Sequence, residues 1–319
     1  MRNIKFKLVL AVIYSVAFVG LFYLCIGCYF AYVAVGNFNL TTFATTFEKQ
    51  RADSTFDVAR WDTLVKHEIN LKSDFGYVVN GMFVENGTPS DTTIVICHGI
   101  ACNKLLMMRY ADLYLSLGYN VVLYDQRGHG SSGGEYSSYG YFEKFDLQKM
   151  VELIAARRPG GVVGAHGESM GAATVLQHAG MINAHTPDSL PHISFYIADC
   201  PYSDLKQQLG YRLKEEYGIP DVGIVAAASF WTHWIYGFWF GEVSPIAHIK
   251  DVKVPILFIH GDADTYVPTS MSVDLYNAKP EPKMLYLSPD ANHAKSYIVN
   301  KAEYRSIVEE FRRKLLGNK

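Results

Sequence analysis

The chain has 319 residues, 49% of them apolar, and a net charge of −2 at pH 7. That balance excludes the basic field of a nucleic-acid binder. Of the five cysteines, Cys25 and Cys28 sit in an apolar N-terminal run. Cys97, Cys102 and Cys200 form no C-x-x-C or metal-type cluster and read as buried thiols rather than a disulfide framework.

In chain order, residues 1–47 form a first unit. Arg2, Lys5 and Lys7 precede a charge-free run from Leu8 to Val35, and the next charge is Glu48. As a helix that run would reach about 42 Å, more than the roughly 30 Å of a hydrocarbon core. Tyr23, Tyr29 and Tyr32 lie in its second half, toward the far interface. It is expected to be an uncleaved single-pass anchor. A signal peptide has a shorter apolar region and a small-x-small site, and Cys25 departs from the lipoprotein pattern that Leu24–Cys28 otherwise approaches. The basic flank places the N-terminus in the cytoplasm and the rest of the chain outside. Asn39-Leu40-Thr41 and Asn86-Gly87-Thr88 are glycosylation sequons, relevant only in a eukaryotic secretory lumen.

Residues 48–319 read as one domain. Alternation over 67–85, broken at Asp74-Phe75-Gly76, predicts two strands and a turn. Thr92–Cys97 is a buried strand ending at His98-Gly99-Ile100. Leu105–Leu117 has helical periodicity, and Asn120–Tyr124 is a strand leading into Asp125-Gln126-Arg127-Gly128-His129-Gly130-Ser131-Ser132. Phe142–Arg158 is a helix stopped by Pro159-Gly160-Gly161. Strands follow at 162–165, Phe195–Ala198, Pro255–His260 and Lys283–Leu287, and an amphipathic helix closes the chain at Tyr304–Leu316. This alternation predicts a mostly parallel sheet with helices on both faces. Residues 203–249 break it and hold three of the four tryptophans. They are expected to form a helical lid over the strands' carboxyl ends, with Trp231, Trp234 and Trp239 lining a substrate pocket.

The chemistry centres on Gly167-Glu168-Ser169-Met170-Gly171, between a strand and a helix-like stretch. A strained turn there lifts a serine hydroxyl clear of the sheet. Serine needs a base. His293 follows the last strand, and Asp264 follows the preceding one, in the order Ser, Asp, His. Asp262 and Asp199 are rival acids. His98 and His129 are expected to shape glycine-rich loops, His166, before the elbow, to be structural, and His260, at a strand end, to be buried. The N–H groups of Met170 and Ile100 are the expected oxyanion donors.

His98-Gly99, Asp125–Ser132, Gly167–Gly171, His260-Gly261-Asp262-Ala263-Asp264 and Asn292-His293, in that order, resemble the α/β-hydrolases of the esterase, lysophospholipase and serine-aminopeptidase-like branch. The resemblance spans about residues 67–317. It implies nucleophile, acid and base at Ser169, Asp264 and His293.

The resulting expectation is a membrane-anchored serine hydrolase of α/β-hydrolase fold. It would cleave a small-molecule ester, with an apolar or lipid-derived acyl group favoured, and would need no metal or other cofactor. A thioesterase or a serine aminopeptidase would use the same residues. For the aminopeptidase, Glu215, Glu216 or Glu242 would bind the substrate amine. A non-catalytic interaction protein that keeps the fold is the contrasting class.

Overall fold

The computed structural model describes residues 2–36, 40–52, 56–185 and 191–316. Among them, eight strands form one sheet: β1 (Lys66–Lys72), β2 (Val78–Val84), β3 (Thr92–Cys97), β4 (Asn120–Tyr124), β5 (Val162–Glu168), β6 (Phe195–Asp199), β7 (Ile256–Gly261) and β8 (Lys283–Ser288). They pair in the order β1-β2-β4-β3-β5-β6-β7-β8. The first two pairings, β1 with β2 and β2 with β4, are antiparallel, and the other five are parallel.

The helices are α1 (Arg2–Ala31), α2 (Phe43–Ala52), α3 (Val58–Thr63), α4 (Met108–Ser116), α5 (Glu143–Arg157), α6 (Met170–His185), α7 (Leu205–Tyr217), α8 (Ile224–Tyr236), α9 (Pro245–His248), α10 (Ser270–Ala278), α11 (Ser296–Val299) and α12 (Lys301–Phe311). Successive side chains on a strand point to opposite faces. Val95 and Cys97 therefore join a core with Leu147 and Ile154 of α5 and Leu176 of α6. Ile94 and Ile96 pack with Tyr110 and Tyr114 of α4 and Tyr304 and Phe311 of α12. Both faces of the parallel strands are thus covered, which is why they read as apolar runs.

The expected elements form with small shifts. The helix expected from Leu105 opens with a 3₁₀ turn, Lys104–Met107, capped by Asn103. The closing helix starts earlier, at Lys301, and ends in a π-helical turn, Arg312–Leu316. Residues 43–63, which carry no strong apolar period, form α2 and α3, so α2 runs across the expected boundary at residue 47. The lid expected over 203–249 consists of α7, α8, a 3₁₀ turn at Phe240–Glu242 and α9, inserted between β6 and β7. Of the two sequons, Asn39 lies outside the described residues. The Asn86 side-chain amide donates to the carbonyls of Leu115 at 2.6 Å and Tyr119 at 3.1 Å, which commits the nitrogen a glycan would need.

The apolar N-terminal run forms one helix that is long and apolar enough to cross a membrane, Ile4–Gly36. Its two halves differ. Side chains up to Leu24 are largely exposed, Phe18 by 72%. From Gly27 onward the helix lies on α8, and Ala31 and Val35 are buried with Leu213, Ile224 and Val225 of the lid.

Candidate active site

The turn between β5 and α6 carries Ser169 in the left-handed region, at φ 56°. A non-glycine residue there costs of order 1–3 kcal/mol unless its surroundings enforce it. Two close approaches do so. A Cβ on Gly167 would stand 2.2 Å from the Gly171 carbonyl oxygen, and one on Gly171 would stand 2.1 Å from that of Cys97. Only hydrogen fits at either position. The Ser169 N–H donates to the Asp199 carbonyl at 2.8 Å, tying the turn to the end of β6.

The loops after β7 and β8 are stitched together. Ala263 N–H donates to Ala291 O at 3.1 Å, and Asp290 N–H donates to the Asp262 carboxylate at 2.8 Å. This stitching brings Asp264 and His293 into contact. His293 Nδ1 lies 2.7 Å from Asp264 Oδ2, and its Nε2 lies 3.0 Å from Ser169 Oγ. Nδ1 therefore carries the proton given to the carboxylate, leaving Nε2 to accept from the serine. Burial raises the Asp264 carboxyl, but hydrogen bonds from His260 and His293 and the Val267 N–H outweigh it and hold the group well below its ordinary range. The acid stays charged, as a partner to a forming imidazolium must.

The rival acids are placed elsewhere. Asp262 is the clasp of the β8 loop just described. Asp199 is buried beneath the elbow, where Tyr304 Oη donates to it at 3.0 Å. Burial, aided by nearby Glu168, pushes its carboxyl up to about 7. Glu168 is ion-paired with buried Arg109, so the glutamate of the pentapeptide braces β5 against α4. His166 is buried against Tyr114 Oη at 2.7 Å.

His98 and His129 shape the loop above β3. His129 Nδ1–H donates to the Arg127 carbonyl at 2.8 Å, and its Nε2 accepts the Ala101 N–H at 3.1 Å. His98 Nε2 accepts the Gln126 N–H at 2.9 Å. The Asp125–Ser132 segment thereby fixes the strand-end turn in which Ala101 has φ 59°. Ile100, Met170 and Ser169 all border one cavity of about 460 Å³.

The lining of that cavity corrects one expectation. Trp231, Trp234 and Trp239 are not part of it. On α8, Ile224, Val225 and Ala228 face the cavity. Trp231, at i+7 from Ile224 and i+3 from Ala228, shares their face but lies one turn farther along the helix, and Trp234 is turned away from it. Trp231 Nε1 donates to the Leu24 carbonyl of α1 at 2.8 Å, Trp234 is 69% exposed, and Trp239 stacks on His233 at 4.3 Å. Leu205, Leu209 and Leu213 of α7, Phe30 of α1, and Val33 and Ala34 of the π-helical turn Tyr32–Gly36 that continues α1 line the cavity instead. Glu216 also borders it, bonded to Arg212 at 2.7 Å, whereas Glu215 and Glu242 are exposed and do not.

Two residues expected only to be buried, and found buried, also touch the site. His260 Nε2 lies 3.0 Å from the same Asp264 oxygen that His293 uses, and the four-residue spacing was the available signal. Cys200 places its sulfur within 4.8 Å of donor atoms of Asp264 and His293. Burial raises its thiol well above the ordinary value, so the group is a hydrogen-bonded acid–base set beside a neutral thiol rather than a set of thiolate ligands.

Residues 88–210 match the family described as "Serine aminopeptidase, S33". The Bacillus subtilis (strain 168) protein YqkD is 42% identical over 267 residues, 82% of this chain and 85% of that protein. The chain belongs to the α/β-hydrolase superfamily, among its serine hydrolases. The hydrolase is also similar to the lysophosphatidylserine lipase ABHD12 of Xenopus tropicalis, at 25% identity over 64% of this chain and 51% of that protein. The fold matches the Pyrococcus furiosus esterase Pf2001 with a TM-score of 0.64 at 23% identity, covering 82% of this chain and 97% of that one.

Proposed function

We propose that this hydrolase cleaves carboxylic esters with apolar, lipid-derived acyl groups, using Ser169, His293 and Asp264 as nucleophile, base and acid. The observation that carries the reading is the unbroken chain of contacts from Asp264 Oδ2 through His293 to Ser169 Oγ, at 2.7 and 3.0 Å, opening on a cavity lined mainly by apolar side chains.

His293 Nε2 takes the Ser169 proton as Oγ attacks the ester carbonyl. The Ile100 and Met170 N–H groups receive the oxyanion. Collapse breaks the bond to the alkoxy oxygen, which leaves as the alcohol with the proton from His293. A water then gives a proton to His293 and attacks the acyl-enzyme, releasing the carboxylic acid and restoring Ser169. The same residues would serve a thioester.

An aminopeptidase would hold the substrate's ammonium with a carboxylate left free for it. Glu216 borders the cavity but is bonded to Arg212, which favours the ester reading. We read α1 as a membrane anchor, with the three basic residues at its N-terminal end in the cytoplasm and the hydrolase domain outside.

The test is hydrolysis of p-nitrophenyl esters from acetate to palmitate by the full chain and by Ser169→Ala, with a fluorophosphonate probe alongside. Turnover and labelling that both vanish in Ser169→Ala are expected. Folded wild type that neither turns over nor labels would end the proposal.

A further inference from the structure

The cavity above Ser169 has one wall from an unexpected source. The exposed charge-free part of α1, Leu8 to Leu24, would measure about 26 Å, close to the roughly 30 Å hydrocarbon core of a bilayer. Where that length ends, the helix becomes part of the hydrolase. Tyr23 Oη donates to the Val222 carbonyl at 2.7 Å, and Trp231 grips the Leu24 carbonyl. Gly27 lies flat on Ala227, so close that a Cβ would stand 2.7 Å from the alanine's own. The next turns present Phe30, Val33 and Ala34 to the cavity. Val222, whose carbonyl accepts the Tyr23 hydroxyl, is itself more than half exposed, an apolar side chain at the level where the span ends. Tryptophan and tyrosine concentrate where a membrane meets water.

We infer that the substrate is a single-chain acyl amphiphile resident in the leaflet beneath the lid, and that its chain enters along α1 and packs against Phe30, Val33 and Ala34. These three residues set the chain length accepted. This rests on the ester-hydrolase and anchor readings above. A cavity of about 460 Å³ suits one acyl chain rather than two. Its polar side carries Arg212, whose guanidinium stacks 4.1 Å from the Tyr266 ring centre, while that ring lies 5.0 Å from His293. A polar headgroup next to the ester would meet that side. The chain would stay against α1, and the molecule would reach Ser169 without leaving the apolar phase entirely.

The test uses the full chain in phosphatidylcholine vesicles, the p-nitrophenyl ester series, and the variants Ala34→Trp and Phe30→Ala. Ala34→Trp should lower kcat/KM for palmitate at least about tenfold relative to acetate, a difference of about 1.4 kcal/mol. Phe30→Ala should move the optimum toward longer chains. It carries the test by itself if Ala34→Trp melts early. Brominated phosphatidylcholine should quench Trp231, which bonds the Leu24 carbonyl where the exposed span ends, read as wild type minus Trp231→Phe. An unchanged chain-length profile, or an unquenched Trp231, overturns this inference while fluorophosphonate labelling of Ser169 persists. Loss of that labelling in folded wild type would instead remove the hydrolase reading on which it stands.

Discussion

His260 Nε2 lies 3.0 Å from Asp264 Oδ2, the same oxygen that receives His293 Nδ1 at 2.7 Å. His260 Nε2 is also 3.0 Å from the Val267 carbonyl, which only accepts, so this nitrogen carries a proton. Ser272 Oγ then donates to His260 Nδ1 at 2.6 Å. Asp264 is thus held from both sides by imidazole N–H groups, and its other oxygen takes the N–H groups of Tyr266 at 2.8 Å and Val267 at 2.9 Å.

His260 is therefore expected to act as a positioning residue. His260→Phe removes a hydrogen bond to a charged group, worth about 1.5–3 kcal/mol. We expect kcat to fall about 10- to 100-fold, with KM little changed. His260→Gln, which keeps a donor, should recover part of the loss. A purely structural role would predict no such rescue and a drop in thermal stability that tracks the activity.

Asp264→Asn should be more damaging. An amide cannot stabilise the imidazolium and can hold His293 in the wrong tautomer. The expected fall in kcat is about 10⁴-fold with the fold intact. Steady-state kinetics together with circular dichroism would check it, and a loss under about tenfold would point to another acid.

The elbow glycines make a stability prediction. Gly171→Ala drives a methyl into the Cys97 carbonyl and should cost about 1–3 kcal/mol or more. Gly87, with nothing within 4 Å of an added Cβ, is the control. Gly87→Ala should leave the melting temperature close to that of wild type, and equal shifts in the two variants would contradict the steric account.

Acid should destabilise the fold. Burial pushes the imidazoles of His98, His166 and His178 down, each to about 3. In the unfolded chain each takes a proton near 6.5. Below about 6.5 the unfolded state binds protons that the folded state refuses, so stability falls as pH drops toward 3. Asp199 and Asp146, raised chiefly by burial to about 7 and about 6, work the opposite way because their carboxyls stay protonated only when folded. Three imidazoles outweigh two carboxyls. Calorimetry should show a lower melting temperature at about pH 5 than at about pH 7. A flat or inverted profile would mean that these imidazoles are not buried in neutral form.

The order of strands and helices was legible in the chain because buried parallel strands are short β-branched runs and their helices keep a 3.6-residue period. That Ser169, Asp264 and His293 would come together was legible too, since each follows a strand and glycines mark the turns. Which face of α8 meets the cavity was not. Trp231, Trp234 and Trp239 announced an apolar lid, but hydrophobicity carries no direction: Trp231 reaches α1, Trp234 faces solvent, and Trp239, beyond the end of α8, stacks on His233. Nor did the N-terminal run disclose its second role. Its apolar residues read alike from Leu8 to Val35, and only packing against a helix some two hundred residues away separates the exposed half from the half that walls the cavity. Local preference decides what an element is; its neighbours, chosen by shape and burial across the whole chain, decide what each side chain touches.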